Sequence, residues 1–211
     1  MRKPAQFLIN LRRLPVVALW FLLALSSHAA FGAEPKITVE VEKSGDAFIV
    51  NALIDLQVPL EVAWEVFVDI DHMTNFLENL TFSKVISRTG NVLIARQEGV
   101  ARYGPFSYSF VTEREVRLDP MKRIVTKNVS GTLKMMHSEA TFVPLDQGVR
   151  IKYSAEIVPD SVLARVFGHP VVRNEVSEQL VSMSKEMLRR HAIGAGAGNS
   201  PAVSVRAAEA N

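Results

Sequence analysis

Apolar and polar residues alternate with a period of two through most of the chain between Ile37 and Pro159. This alternation is typical of β-strands with one buried and one exposed face. Turn-forming sequences rich in Gly, Pro, Asn or Asp interrupt it every 8 to 14 residues, so we expect short connections between antiparallel neighbours. The pattern predicts two strands, one or two short helices that begin near Pro59, and then a run of about five further strands.

A long helix is predicted at Pro170–His191, where apolar residues recur at steps of three or four. The residues on its apolar face are Val172, Val176, Leu180, Met183 and Met187. Pro170 suits the first turn, where its missing N–H costs nothing, and Gly168 and His169 are expected to separate this helix from a short helical piece at 162–167. A single apolar face of this length needs a partner surface. We therefore predict an α+β fold, in which a curved antiparallel sheet of about six or seven strands surrounds the long C-terminal helix.

The first 33 residues have the pattern of a secretory signal peptide. A basic segment with four Lys and Arg residues precedes the apolar run 16–25, and small residues surround Ala29, Gly32 and Ala33. A membrane anchor is the competing interpretation, but this run is shorter than the roughly 20 residues that cross a bilayer. We expect export to the periplasm or the extracellular space, with no stable membrane span once the signal is removed.

Charge and cysteine content exclude several classes of function. Without residues 1–33 the chain has 20 Lys and Arg against 22 Asp and Glu, so its formal net charge is −2 and no partnership with nucleic acid is expected. The absence of cysteine excludes disulfides and thiolate chemistry. Residues 192–211 are rich in Ala and Gly without apolar periodicity, which predicts a disordered tail and leaves 34–191 as one domain.

The segment VPLEVAWEVFVDIDHMTNFLENL at 58–80 is followed by a meander of strands, an NVSG turn, a strand with Tyr153 and a long helix. Together these features resemble the START-like (SRPBCC, helix-grip) superfamily, and within it the polyketide cyclase/dehydrase and coenzyme-Q-binding branch. The most specific element is the spacing of Pro59, Trp64 and Asp69, and the resemblance covers residues 37–191. It implies a cavity between the sheet and the C-terminal helix that holds a lipid, an isoprenoid quinone or a polyketide.

The side chains expected to bind this ligand lie on the apolar faces of the predicted elements. They are Trp64, Phe67, Phe76, Phe106, Tyr108, Phe110, Met135, Tyr153, Phe167, Val172, Val176, Leu180 and Met183. Aromatic and methionine side chains form adaptable linings for ligand cavities, whereas simple core packing is the alternative for each residue. We predict no cofactor and no metal site, because Asp69, Asp71 and His72 offer too few oxygen ligands for a hard cation.

Catalysis would need a titratable group inside that cavity. Arg96 and Glu98 share strand parity with neighbouring apolar residues, as Arg114 does with Phe110. His137 and Glu139 share parity with Met135, so on an inward face His137 would serve as acid or base in an aldol or dehydration step. Charged residues that face water or form ion pairs are the alternative.

Three functions remain open. The first is an exported protein that binds a hydrophobic small molecule without turnover. The second is a cyclase or dehydrase with His137, Glu139 and Arg96 as its polar groups. The third is an envelope accessory protein that uses the fold for protein contacts.

Overall fold

The structure, a computed structural model, describes residues 35–104, 106–160 and 162–197. Its elements are β1 (Lys36–Ser44), β2 (Ala47–Leu56), α1 (Leu60–Val68), a 3₁₀ helix (Ile70–Asn75), β3 (Leu80–Thr89), β4 (Val92–Tyr103), β5 (Phe106–Asp119), β6 (Arg123–Gly131), β7 (Leu133–Leu145), β8 (Gly148–Pro159) and α2 (Val162–Ala197). The predicted signal peptide, and residues 198–211 of the predicted tail, lie outside the described residues.

The eight strands form one antiparallel sheet in the order β1-β2-β8-β7-β6-β5-β4-β3. Strands β3 to β8 pair each with the next, and β2 pairs with both β1 and β8, which attaches the first hairpin to the last strand of the meander. The helix α2 contacts both β1 and β4, which are far apart in this order, so the sheet curves around the helix. The predicted α+β fold is confirmed. The sheet has eight strands rather than six or seven because each alternating segment forms a separate strand.

The concave face of the sheet carries the core. Phe48, Val50 and Ile54 on β2 are fully buried, as is Ile151 on β8. The short helix α1 covers part of this face with Ala63, Trp64 and Val66. The rings of Trp64 and Phe67 meet the ring of Phe142 edge-on, at centroid distances of 5.3 and 5.1 Å. These contacts place α1 over β7 and β8, while α2 contacts α1 and lies against β1, β2, β4 and β8.

The helix α2 is continuous from Val162 to Ala197, so the predicted break at Gly168–Pro170 was wrong. A proline inside a helix removes one backbone hydrogen bond, but tertiary contacts hold the chain beside it. Gly168 packs against the ring of Phe48, and Nε2 of His169 donates to the carbonyl oxygen of Val41 at 2.8 Å. The helix also continues past His191 into the predicted tail. Neither helix within the described residues is long and apolar enough to span a membrane.

An ion-pair network joins the second half of α2 to the end of α1. The carboxylate of Glu186 accepts from Arg189 at 2.7 Å and from Arg190 at 2.8 Å. Arg190 also donates to Asp69 at 2.7 Å, and Asp69 contacts Nδ1 of His72 at 2.6 Å. Hydrogen bonds from Arg189, and then from Arg190, lower the pKa of Glu186 to about 2. The network therefore anchors the half of α2 that contains the buried Leu180, Met183 and Met187.

Glycine-to-alanine substitutions test how α2 packs on β2. Alanine is favoured over glycine in a helix by about 1 kcal/mol, so Gly194→Ala, at a position with no neighbour within 4 Å, is expected to raise the free energy of unfolding by up to that amount. A Cβ at Gly168 would lie 2.9 and 3.0 Å from two ring carbons of the fully buried Phe48. We therefore expect Gly168→Ala to lower the free energy of unfolding by about 1–2 kcal/mol. Urea denaturation followed by circular dichroism measures both, and equal stabilisation by the two substitutions would contradict this packing.

Candidate functional site

A group of polar side chains occupies the concave face of strands β3 to β8, among the apolar residues of the core. Its buried members are less than 9% exposed, and the register of the strands places all members on the same face as Leu93 and Ala95. We call this group the inner polar cluster; it comprises Ser83, Gln97, Thr112, Arg114, Thr126, Ser138 and Tyr153. Buried polar groups need hydrogen-bond partners, so the partners of each member indicate what the cluster is built to do.

One chain of hydrogen bonds runs from Arg114 to the 3₁₀ helix. Nη2 of Arg114 donates to Oε1 of Gln97. Nε2 of Gln97 donates to Oγ of Ser83 at 2.9 Å and to Sδ of Met73 at 3.2 Å. Oγ of Ser83 in turn donates to the carbonyl oxygen of Ile70 at 2.6 Å. The chain uses both amide hydrogens of Gln97, which fixes its carbonyl oxygen towards the guanidinium group.

The guanidinium group of Arg114 is not fully satisfied. Its Nε is buried and has no hydrogen-bond partner in the structure. No carboxylate among the described residues forms an ion pair with Arg114, and burial lowers the pKa of the guanidinium group. Buried arginines are nearly always paired, because an unpaired buried charge costs several kcal/mol. An inward-facing donor without a partner is therefore what a binding site for an acceptor group would contain.

Tyr153, on β8, is the second titratable group of the cluster. Burial raises the pKa of its phenol, while a hydrogen bond to Ser138 and the charge of Arg114 act in the opposite direction to a smaller extent. The influence of Arg114 means that the two side chains lie near each other across the concave face. The phenol is protonated at neutral pH and can act as a hydrogen-bond donor.

The inner polar cluster lies on the face of the sheet that α2 covers, next to apolar side chains that pack against the core. Arg114 and Tyr153 lie so deep that burial is the main cause of both pKa shifts, yet both side chains keep accessible surface. Val176, on the apolar face of α2, is only partly buried as well, and α2 makes most of its sheet contacts with β1, β2, β4 and β8. We call the region bounded by Arg114, Tyr153, Phe110 and Val176 the inner space.

Two other cavities are lined by described residues. One, of about 420 Å³, lies between β6 and β7 near Asn128. The other, of about 520 Å³, lies on the convex face across β1, β2, β8 and β7, where Glu40, Glu139 and Lys152 contribute to a polar lining. A polar groove of mixed charge on the convex face is a poor match to an apolar ligand.

The predicted ligand-binding residues fall into several groups in the structure. Phe110, Tyr153, Val172 and Val176 lie on the faces that border the inner space, and Leu180 and Met183 are buried where α2 meets the core. Trp64 and Phe67 pack on Phe142 instead, and Phe76 lies under the guanidinium group of Arg190 at 5.8 Å. Tyr108 is 40% exposed, and Met135 lines the cavity between β6 and β7. The side chains of Phe106 and Phe167 lie outside the described part of the structure.

His137, Glu139 and Arg96 lie on the convex face, so the inward orientation that catalysis would have needed does not occur and the alternative, charged residues that face water or form ion pairs, holds. His137 is exposed and pairs in register with Glu156. Arg96 forms ion pairs with Glu98 at 2.8 Å and with Glu113 at 3.1 Å, in agreement with the ion-pair alternative. The residues that face inward on β4 and β7 are the immediate neighbours of Arg96, His137 and Glu139 along each strand. Both strands carry apolar residues on both faces, so the sequence alone does not show which face is buried, and a shift of one residue exchanges the two faces.

The structure confirms the inward parity predicted for Arg114. This residue lies opposite Asn128 on the concave face. Sequence reasoning missed Gln97, Ser83 and Ser138. Uncharged polar residues within an alternating strand look like solvent-facing positions, so no local signal distinguishes Gln97 and Ser83. The alternation of Met136, Ala140 and Phe142 gives Ser138 its inward parity, and this is the one sequence feature that indicated it.

Fold and site together define a helix-grip protein with a partly polar inner face. Residues 56–183, more than half of the chain, match the model of the family described as polyketide cyclase / dehydrase and lipid transport. The chain belongs to this family, and the predicted START-like resemblance is confirmed. Coenzyme-Q binding stays a prediction. A comparison with curated protein sequences gave no match.

Several solved structures share this fold. Zhui aromatase/cyclase from Streptomyces sp. R1128 has a TM-score of 0.61 at 15% identity, and the match covers 68% of this chain and 95% of that chain. A STAR-related lipid transfer protein fragment from Xanthomonas axonopodis has a TM-score of 0.57 at 11% identity, and the match covers 72% of this chain and 93% of that chain. A START superfamily protein from Mycobacterium smegmatis has a TM-score of 0.55 at 13% identity, and the match covers 69% of this chain and 97% of that chain. At these identities the comparison shows the fold alone.

Proposed function

We propose that this protein binds a hydrophobic small molecule with a hydrogen-bond acceptor group in the inner space, without catalytic turnover. The observation that carries the proposal is the buried Nε of Arg114, which has no partner on a mostly apolar face. The family description is consistent with such a ligand, as are two of the neighbours, an aromatase/cyclase and a STAR-related lipid transfer protein. The candidate classes are lipids, isoprenoid quinones and polyketide-like compounds.

Energetics support a ligand that is mostly apolar with one polar anchor. Removing roughly 300 Å² of apolar ligand surface from water contributes about 7 kcal/mol before association costs. Association costs of about 4 kcal/mol or more leave only about millimolar affinity, or weaker, for a ligand without polar contacts. A hydrogen bond between the charged Arg114 and an acceptor adds about 1.5–3 kcal/mol, because the unmet donor is already desolvated. Arg114 would therefore determine both affinity and orientation.

Binding without turnover is favoured by the titratable groups near the inner space. Arg114 keeps its proton in any accessible pH range, and burial holds the phenol of Tyr153 in its protonated form. Glu175 on α2 has a pKa raised by burial, but its carboxylate accepts from Asn79 and from the backbone N–H of Arg102, both at 2.9 Å. It thereby ties α2 to the ends of β3 and β4.

A cyclase or dehydrase remains the alternative, and one observation favours it. Arg114 and Tyr153 are two donors that would stabilise the enolate oxygen formed during an aldol step. Tyr153→Phe distinguishes the two functions, because it would abolish turnover of a polyketide substrate but leave the binding of a saturated lipid unchanged.

The place of action is also part of the proposal. The basic, apolar and small-residue segments at 1–33 support export to the periplasm or the extracellular space. In that setting an envelope protein partner would deliver or receive the ligand.

Filling the inner space tests the proposal. Val176→Trp places an indole on the partly buried apolar face of α2, whereas Val181→Trp places the same group at an exposed position of the same helix. We expect purified wild type and Val181→Trp to bind the fluorescent neutral ester methyl cis-parinarate saturably, and Val176→Trp to bind it at least about tenfold more weakly because its site is occupied. Circular dichroism checks that each variant is folded. Equal binding by a folded Val176→Trp, or no saturable binding by the wild type, would contradict the proposal.

A further inference from the structure

A neutral side chain, that of Gln97 on β4, holds the guanidinium group of Arg114 in place. Its Oε1 accepts from Nη2 of Arg114, while its Nε2 donates to Ser83 and to Met73. The hydroxyl of Ser83 donates its own hydrogen to the carbonyl oxygen of Ile70, so it can only accept from Gln97. This order of donors fixes the amide oxygen of Gln97 towards Arg114. The partner thus orients the guanidinium group without neutralising its charge.

The carboxylates nearest to Arg114 along β5 lie on the other face of the sheet. Glu113 and Glu115 flank Arg114 in the sequence and therefore project to the convex side. Glu113 pairs there with Arg96 at 3.1 Å, and Glu115 pairs with Arg117 at 2.7 Å. Both carboxylates thus have cationic partners of their own and do not compensate the charge of Arg114.

The side chains that adjoin Arg114 on the concave face are neutral as well. Asn128 lies opposite Arg114 on β6, but its Nδ2 donates to the carbonyl oxygen of Leu133 at 3.1 Å and its Oδ1 accepts from the backbone N–H of Met136. The amide of Asn128 is therefore directed to β7. Burial keeps the nearby phenol of Tyr153 protonated and uncharged at neutral pH.

The inner polar cluster consequently has a single positive charge. Arg114 is its charged member, and the other six members are neutral serine, threonine, glutamine and tyrosine residues. A buried charge is stabilised by one opposite charge in hydrogen-bonding contact, and a carboxylate matches a guanidinium group in both charge and geometry. A doubly charged phosphate would instead leave one negative charge uncompensated.

We propose that Gln97 determines the charge of the ligand, because it positions Arg114 but leaves the positive charge to bind the carboxylate of an amphiphilic acid. The apolar chain of this acid lies in the inner space. Gln97 is a positioning residue in this arrangement, since it acts through Arg114. The inference rests on the proposed function and adds the charge of the ligand and the residue that sets it.

A matched pair of probes tests the charge of the ligand. The fluorescent cis-parinaric acid and its methyl ester have the same chain and differ in the carboxylate. At pH 8, where a carboxylic acid is ionised, we expect the purified wild type to bind the acid at least about tenfold more tightly than the ester in fluorescence titrations.

Gln97→Glu tests the role of the neutral partner. It keeps the shape of the side chain and places a carboxylate beside Arg114. We expect it to weaken acid binding at least about tenfold, because the guanidinium group then has an internal counter-ion and the ligand meets a like charge. Ester binding is expected to change by at most about threefold. If Gln97 served the fold alone, both probes would bind equally more weakly and the preference for the acid would stay.

Two further variants separate charge from position. Gln97→Met removes the amide without adding a charge, so it is expected to weaken both probes and to keep the preference for the acid. Loss of this preference in Gln97→Met would contradict the charge argument. The matched control is Gln147→Glu, which makes the same chemical change at an exposed position in the turn between β7 and β8 and should bind both probes like the wild type. Circular dichroism checks the folding of each variant.

The remaining outcomes distinguish this inference from the proposed function. Equal binding of acid and ester by the wild type would overturn the inference, whichever variants fold, and would leave the proposed function intact. Acetate at millimolar concentration is not expected to displace the bound acid, since it lacks the chain. Displacement by acetate would indicate a site for small anions and would also overturn the inference. Failure of both probes to bind would count against the proposed function itself.

Discussion

Arg114→Met is expected to weaken binding of cis-parinaric acid roughly tenfold to a hundredfold and, at the same time, to stabilise the unliganded protein. Affinity falls because a hydrogen bond to a charged group, worth about 1.5–3 kcal/mol, is lost. Stability rises by about 1–3 kcal/mol because an unpaired buried charge is replaced by an apolar side chain of similar length, which outweighs the unmet Oε1 of Gln97. Fluorescence titration measures the affinity, and urea denaturation measures the free energy of unfolding.

The opposite signs of these two effects distinguish a binding arginine from a structural one. Arg96→Met is the matched control, since Arg96 lies on the convex face and pairs with Glu98 and Glu113. It should bind the probe like the wild type. An Arg114→Met protein that is less stable and binds the acid normally would show that the guanidinium group serves the fold and not a ligand.

Glu186→Gln is expected to lower the free energy of unfolding at pH 7 by about 3 kcal/mol, which follows from the difference between the ordinary pKa of a glutamate and its value in the folded protein. Hydrogen bonds from Arg189 and Arg190 lower the pKa of Glu186 from 4.5 to about 2. The folded state therefore favours the ionised carboxylate. This stabilisation is complete above about pH 4.5, the ordinary pKa, and is lost as the pH falls towards about 2.

Urea denaturation between pH 7 and pH 2 tests this dependence. The wild type should lose stability in the acid range, whereas Glu186→Gln should start lower and lose less over that interval. Glu65→Gln, at an exposed position on α1, is the control and should follow the wild-type curve. If Glu186→Gln kept the full acid dependence, the network that joins Glu186, Arg190 and Asp69 would not contribute to stability.

Most of the fold could be predicted from the sequence because alternation is a local property. The apolar positions of a strand show which of its sides is buried, as Ile37 and Val39 do on β1 and Phe48 and Val50 do on β2. Both strands form where predicted. The break at Pro170 could not be predicted correctly. A proline and a glycine close together usually indicate the end of a helix. Here the contacts of Gly168 with Phe48 and of His169 with Val41 hold the chain in a continuous helix. These partners are more than a hundred residues away in the chain, so no local pattern indicates them.

The site was harder to predict from the sequence than the fold. Residue types limited the ligand to an apolar class, and the parity of Phe110 correctly placed Arg114 on the inner face. In β4 and β7 apolar residues occur on both faces, so the inward position of Gln97 and the outward position of Arg96 and His137 depend on cross-strand register.

The sequence by itself determined the α+β class, the antiparallel meander, the long helix with one apolar face and the family, because periodicity and motif spacing act over a few residues. The tertiary structure alone decided that the buried Nε of Arg114 has no partner among the described residues, that Asn128 bonds two diverging strands, and that Glu186 pairs with two arginines, one of which also reaches Asp69. Those features depend on which groups the curved sheet and α2 bring together. A buried charge takes its function from the partners that surround it, and such partners come from distant parts of the chain.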